Sequence, residues 1–373
     1  MPIKYSIPLA SPDLTGNELN YVSEAIRKNQ LSFGSFIDRF ENEFAKLCGI
    51  NKAIVCANGT CALHLALYSL RVGPGDEVIV PSFTYVATAN AVRYCGAEPV
   101  FVDVDEETWC LDPECVEKAI TPRTKGIIPV HLFGHPADMD PINRIAQIYN
   151  LWVVEDAAEA IFAEYKGRPV GSLGTIGTFS FHSAKVITSG EGGAITLDDE
   201  KLESFIRMVC SHGMDAQRRF FFPVVGFNYR LTNMSAGLLC AQLERHETIL
   251  SKRNKIFEIY SEGLKNIPGI SRRPVMPWAK VSPWLFSIVV DTKKFGYSRE
   301  ELIQHLAEEK IESRPFFIPV HSLPAFRETA VRRKIQLPIT DCLCSAGMNL
   351  PTYNTMTTDE VKRVVKVIKS LVA

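Results

Sequence analysis

The chain has 373 residues, 46% hydrophobic and 22% charged, and its 41 Lys+Arg against 42 Asp+Glu leave a formal charge of −1. That composition excludes a disordered chain, and without a basic excess to neutralise phosphates a nucleic-acid partner is not expected. No run of about 18 uncharged apolar residues offers a membrane span, and the start, MPIKYSIPLASPDLTGNELN, lacks the apolar core and cleavage signature of an export signal. The length exceeds what one hydrophobic core usually serves, so two domains are expected. The ten cysteines form no C-x-x-C pair, which favours reduced thiols in a cytoplasmic protein over a zinc site or a redox motif.

From residue 52 onward, short apolar runs alternate with helical patterns. KAIVCA (52–57) predicts a buried strand, and TCALHLALYSL (60–70) a helix with apolar residues three and four apart. DEVIVP (76–81) is the next strand, followed by a helix over 87–95. EPVFVDVD (98–105), TKGIIPVHLFG (124–134) and LWVVEDAAEA (151–160) each carry a β-branched apolar centre, with helices over 113–120 and 138–149 between them. FSFH (179–182) and GAITLDD (193–199) are expected to close the sheet. Apolar strands alternating with helices imply an α/β fold with a mainly parallel sheet covered on both faces.

After Asn233 the pattern changes. Residues 234–267 predict one long helix, broken at most once, before a proline-rich stretch at Pro268, Pro274, Pro277 and Pro283. A strand over 284–290, a helix over 298–310, a second strand ending at 313–317 and a final amphipathic helix over 357–372 complete the chain. The expected division is a large α/β domain over 1–240 and a smaller C-terminal α+β domain over 241–373.

Three places carry residues suited to chemistry. Asn58-Gly59-Thr60 opens a helix directly after a strand, where free N–H groups and the helix dipole favour an anion. Asp156 ends a strongly apolar strand, at the edge where α/β proteins bind ligands. Lys185 lies beyond a later strand and is followed by Gly190, Gly192 and Gly193. Each has a plainer reading: an ordinary N-cap, a solvated aspartate, a surface lysine in a turn. Together, and in this order, they are the set that pyridoxal 5′-phosphate needs. Its phosphate takes helix N–H donors, its ring nitrogen a carboxylate, and its aldehyde a lysine.

The runs ANGTCALHLAL, PSFTYVATANAV, VVEDAAEA, FSFHSAKVITSGEGG and GFNYRLTN resemble, in order, the motifs of the DegT/DnrJ/EryC1/StrS family of fold-type I sugar aminotransferases. The resemblance runs from IPLASPDLTGNE to the last helix. It implies a mixed, mainly parallel seven-stranded sheet sandwiched by helices, with pyridoxal 5′-phosphate as cofactor. Lys185 would be the Schiff-base lysine, Asp156 the partner of the ring nitrogen, and Gly59, Thr60 and Ser180 the phosphate ligands. Tyr85 would stack on the ring and Glu159 would sit near the ring hydroxyl. Asn228 resembles the residue that reaches the phosphate of the neighbouring subunit, which implies a homodimer with shared sites.

One branch of the family replaces the lysine by histidine and becomes a 3-dehydratase. Here Lys185 is present, and His182, three residues earlier, reads as a packed core residue, so transamination is implied. The run HGMDAQRRFFFPVVGFNYRLTN (212–233) resembles members that convert GDP-4-keto-6-deoxymannose to its 4-amino sugar with L-glutamate, releasing 2-oxoglutarate. Arg218, Arg219, Tyr229 and Arg230 become candidates for substrate binding, the arginines for a diphosphate or the glutamate carboxylate. His321 of RPFFIPVHSLP resembles a position near the sugar. UDP- or dTDP-linked 4-ketosugars and a 3-keto sugar stay open as substrates. So does a ligand-sensing protein on the same fold, which would have no use for Lys185.

Overall fold

A computed structural model of the chain describes residues 5–372, so the first four residues of the N-terminal run lie outside it. Two amphipathic helices, α1 (Glu18–Arg27) and α2 (Ser35–Leu47), come first. Helix α2 buries Phe40 and Phe44, which meet Phe179 and Phe181 edge-on with centroids 4.9 to 5.7 Å apart. Truncating one such phenylalanine to alanine costs about 3–5 kcal/mol. This cluster anchors the strand that leads to Lys185.

Strands and helices then alternate: β1 (Lys52–Cys56), α3 (Gly59–Ser69), β2 (Glu77–Pro81), α4 (Ala87–Tyr94), β3 (Glu98–Val102), α5 (Pro113–Ala119), β4 (Thr124–Ile127), α6 (Met139–Tyr149) and β5 (Trp152–Asp156). Two-residue strands β6 (Glu164–Tyr165) and β7 (Arg168–Pro169) precede β8 (Ile176–Ser180), β9 (Gly193–Leu197) and α7 (Glu200–Cys210). The large sheet has seven strands in the order β1-β9-β8-β5-β4-β2-β3. Only β9 runs against the rest. Strands β8 and β9 therefore fill the gap between β1 and β5, where the sequence suggested they would close the sheet. The expected strand over 124–134 stops at Ile127, ahead of Pro129, which has no N–H for a ladder.

Side-chain alternation assigns the two faces. Ala53, Val55, Ile79, Val102 and Val153 join the core under α2, α5 and α6. Ile54, Val78, Val80, Val154 and Ile195 join the core under α3, α4 and α7. Period-two alternation then carries Asp156 to the same face as Val154, the face of α3 and α4, and turns Glu155 to the other.

The expected long helix is two, α8 (Asn233–Leu243) and α9 (His246–Leu264). Helix α8 is apolar all round and packs on α1 and α2. The break falls at Glu244 and Arg245, and the Arg245 guanidinium bonds back to Asp13 O at 3.1 Å and Glu18 Oε1 at 2.7 Å. Beyond it come β10 (Ile270–Ser271), β11 (Ala279–Lys280), β12 (Phe286–Val290), α10 (Thr292–Phe295), α11 (Arg299–Glu308), β13 (Arg314–Pro315), α12 (Arg327–Arg332), α13 (Pro338–Ala346), β14 (Gly347–Leu350) and α14 (Thr358–Ser370). A four-stranded sheet, β10-β12-β14-β13, packs with α9, α11 and α14 around a third core. A three-stranded sheet, β11-β6-β7, joins this part to the large one.

Candidate active site

The parallel strands and β1 end at one edge of the large sheet, and a cleft of about 510 Å³ opens there. Helix α3 starts at its wall. Asn58 caps that helix, its side chain accepting from Cys61 N at 2.9 Å while its carbonyl accepts from Ala62 N at 3.0 Å. Among the described residues, the N–H groups of Gly59 and Thr60 are left for an anion, with the helix dipole behind them. Position 59 has to be glycine, because a Cβ there would come within 2.9 Å of Ser180 Cβ and 3.3 Å of Phe179 O. The close approach brings the Ser180 hydroxyl to the same cup.

Asp156 is buried at the cleft floor. Its Oδ2 accepts from Thr88 Oγ1 at 2.8 Å and its Oδ1 from Ala158 N at 3.2 Å. Burial pushes its pKa up, opposed by those hydrogen bonds and by the charges of Lys185 and His131. Glu159 is equally buried, and burial raises it to about 7 against the pull of Lys185. Phe133 N donates to Glu159 Oε2 at 2.9 Å, leaving Oε1 3.9 Å from Lys185 Nζ.

Lys185 lies beyond β8, with Nζ 3.8 Å from the centroid of the Trp284 ring. Burial lowers its pKa, the carboxylates of Glu159 and Asp156 opposing the shift. A buried amine between two carboxylates and an indole face holds its proton less firmly than a solvated one. Tyr85 and Phe317, with centroids 5.8 Å apart, line the opening.

Gly59, Thr60, Tyr85, Asp156, Glu159, Ser180 and Lys185 thus meet in one cleft. His182 is there too, exposed rather than packed in the core. Other candidates stand elsewhere in the chain. Arg218, Arg219, Asn228 and Arg230 are exposed outside the cleft, Arg230 Nη2 donating to Asn228 Oδ1 at 3.2 Å. Tyr229 packs on its own chain, stacked on Phe227 at 4.9 Å with its hydroxyl 3.2 Å from His64 Nδ1. His321 lines a neighbouring depression, where its Nδ1 lies 2.7 Å from Ser82 Oγ.

Three residues of the site, Thr88 behind Asp156 and Trp284 and Arg314 on the cleft wall, are not picked out by the motifs above. Thr88 lies three residues beyond Tyr85 in PSFTYVATANAV, so its helical spacing was a usable signal. Trp284 and Arg314 come from the C-terminal part, and nothing local marks them. Arg314 supplies the guanidinium that lines the cleft among the described residues.

The donor set fits pyridoxal 5′-phosphate: an anion cup, a buried carboxylate and a largely covered primary amine, all lining one cleft. On the carboxyl edge of a mixed seven-stranded sheet, that arrangement defines a fold-type I transferase dependent on this cofactor. The chain belongs to the DegT/DnrJ/EryC1/StrS aminotransferase family, whose model matches residues 12–369. It is 45% identical to a GDP-perosamine synthase of Caulobacter vibrioides, over 96% of each chain. A GDP-perosamine synthase of Escherichia coli O157:H7 is 40% identical, again over 96% of each. The putative sugar aminotransferase Spr1654 of Streptococcus pneumoniae, solved in its PLP form, superposes with a TM-score of 0.90 at 28% identity over 98% of each chain. Among the described residues no helix is long and apolar enough to cross a membrane, and no His, Cys, Asp or Glu cluster could hold a metal ion. The ten cysteines are free thiols, six of them buried.

Proposed function

We propose that the chain transfers the amino group of L-glutamate to C4 of GDP-4-keto-6-deoxymannose, giving GDP-perosamine and 2-oxoglutarate. The observation that carries transamination is the Lys185 amine, buried 3.9 Å from Glu159 in the cleft that also holds Asp156 and the Gly59 helix start. The nucleotide and sugar are inferred from three relatives named GDP-perosamine synthase, 37 to 45% identical. The cofactor-binding part is residues 1–240, with 241–373 as a smaller domain that covers the cleft through Trp284, Arg314 and Phe317.

When bound, pyridoxal 5′-phosphate supplies an electron sink for the carbon that carries the amino group. The protein's residues do the rest. Gly59 and Thr60 N–H groups and the Ser180 hydroxyl hold the phosphate. Asp156, fixed by Thr88 and Ala158, keeps a proton on the ring nitrogen by offering a buried negative charge. Lys185 takes and returns the proton at the reacting carbon, a task that its lowered pKa suits. Glu159 orients that amine. Tyr85, Trp284 and Phe317 keep water from the reacting atoms.

Asn228 is exposed on its own chain and serves the phosphate cup of a second copy, so the working unit is a homodimer. Arg218, Arg219 and Arg230 lie on the same exposed stretch and face the partner's substrate in that assembly. The test is a panel of GDP-, UDP- and dTDP-linked 4-keto-6-deoxysugars and a 3-keto sugar nucleotide, each with glutamate, with products identified by mass. Amination confined to GDP-4-keto-6-deoxymannose is expected. Equal rates on a UDP- or dTDP-linked sugar would overturn the nucleotide assignment, and no amination of any would overturn the transaminase reading.

A further inference from the structure

Arg273 stands two residues beyond β10 and is buried. Among the described residues no carboxylate lies within ion-pair distance of it. Its nitrogens donate instead to three main-chain carbonyls: Thr108 O at 3.3 Å, Leu132 O at 2.7 Å and Phe133 O at 3.1 Å. Its guanidinium carbon is 5.2 Å from the centroid of the Trp109 ring. Burial draws its pKa down to about 10. A buried cation with no counter-ion is costly, so its presence demands a reason.

The carbonyls it holds flank two unusual residues. Trp109 has φ of 59° and Phe133 φ of 47°, left-handed values that cost a bulky non-glycine residue about 1–3 kcal/mol. Phe133 is also the residue whose N–H donates to Glu159 Oε2 at 2.9 Å, with Glu159 Oε1 3.9 Å from Lys185 Nζ. An unbroken line of contacts therefore runs from Arg273 through the Phe133 backbone and Glu159 to Lys185.

We propose that Arg273 is a positioning residue for transamination: by clamping the left-handed Phe133 backbone it fixes the N–H that aims Glu159 at Lys185. The inference rests on the cofactor-dependent reading above. The charges that act most on the Glu159 carboxyl are those of Lys185, Asp156 and Arg273. Burial raises its carboxyl to about 7. Lys185, the Phe133 N–H and Arg273 pull it down, and Asp156 pushes it up. Loss of Arg273 removes one downward pull directly and loosens a second. Glu159 then takes its proton at higher pH, and the Glu159 carboxylate that faces the amine is lost sooner on acidification.

The test compares Arg273→Met, Arg273→Lys, Glu159→Gln and the Arg273→Met, Glu159→Gln double variant with the wild-type protein. Two profiles are measured against pH: kcat/KM, and cofactor affinity from titration of cofactor-free protein. Arg273→Met should move the acid limb of both upward by about one pH unit. Arg273→Lys keeps the cation but cannot span three carbonyls, so it should give a smaller shift in the same direction, and it carries the test should Arg273→Met fail to fold. In the Glu159→Gln background, removal of Arg273 should shift neither limb. A merely structural arginine would lower the melting temperature with both limbs in place, or shift them equally with and without Glu159; either result overturns the proposal. A wild-type protein that binds the cofactor but aminates no sugar nucleotide would sink the substrate reading instead, and the affinity profile would still decide the role of Arg273.

Discussion

Lys185 Nζ lies 3.8 Å from the centroid of the Trp284 ring, and the indole N–H of Trp284 donates to Ala184 O at 2.7 Å. The same indole covers the amine and grips the backbone one residue before it. Trp284 is held in turn by Arg253, buried beneath it and donating to Trp284 O at 2.8 Å and Pro283 O at 3.2 Å. Two effects of the ring on Lys185 oppose each other. A cation–π contact favours the charged amine by about 0.5–2 kcal/mol, roughly one pKa unit. Exclusion of water disfavours it by up to about 3–5 units in a fully buried site. Burial is the larger, in keeping with the lowered pKa.

The first prediction follows from that balance. Trp284→Ala admits water, so the Lys185 pKa should rise and the neutral amine become scarce near neutral pH. The acid limb set by the free amine should move up by at least about one pH unit, with about a tenfold rate loss near neutrality. Trp284→Phe keeps the cover and loses only the bond to Ala184, so its pH profile should stay near wild type. A downward shift in Trp284→Ala would mean that the cation–π contact dominates.

Lys185→Ala removes the group that moves the proton at the reacting carbon. Turnover should vanish with the fold retained, because the Lys185 amine lines the cleft and its nearest carboxylate, that of Glu159, is 3.9 Å away. Activity within tenfold of wild type would remove Lys185 from the mechanism.

Asp156→Asn can accept from Ala158 N through its amide oxygen and donate from its NH2 to the Thr88 hydroxyl, which reverses to accept, and so keep the local fold. It cannot offer the negative charge that keeps a ring nitrogen protonated. The expected result is retained cofactor with a loss in kcat of about 10²-fold or more, the scale for removing one preorganised electrostatic partner. Unchanged kinetics with a normal cofactor spectrum would count against the assignment.

Much of the fold was legible because most strands of the large sheet contain a short apolar run, as in Val78–Val80 and Val153–Val154, which is stable only when buried. Strand β14 was not. Its sequence, Gly-Met-Asn-Leu, has no β-branched residue, and its glycine is required because the Phe316 ring occupies the space a Cβ would need. That constraint exists only after the chain has folded. In the site, Gly59, Asp156 and Lys185 each sit just beyond or at the end of a strand on one sheet edge, so strand spacing alone brought them near one another. Trp284 and Arg273 arrive from the C-terminal part. Nothing in Ser-Arg-Arg-Pro distinguishes Arg272, which is exposed, from the buried Arg273. Local sequence could not reveal that Ser82, far away in the chain, would hold the His321 ring.

The last prediction concerns assembly. Asn228 is exposed on its own chain and absent from its own cleft, whereas Tyr229 is committed to His64 and Phe227 within the chain. Asn228 alone is thus the clean probe, since Tyr229→Ala would also disturb packing on α3. Combine a Lys185→Ala chain with an Asn228→Ala chain, allow subunits to exchange, and measure activity. If Asn228 serves the partner's phosphate cup, a mixed dimer gathers both defects into one site and leaves the other whole. Activity should then exceed that of either parent, approaching half of the wild-type rate per mixed dimer. If Asn228 served its own chain, each site would carry one defect and mixing would restore nothing. Because a ligand that binds only the assembled state stabilises it, adding pyridoxal 5′-phosphate should also strengthen dimerisation of the wild-type chain, and less so for Asn228→Ala. No recovered activity, with exchange verified by native mass, would refute the shared site.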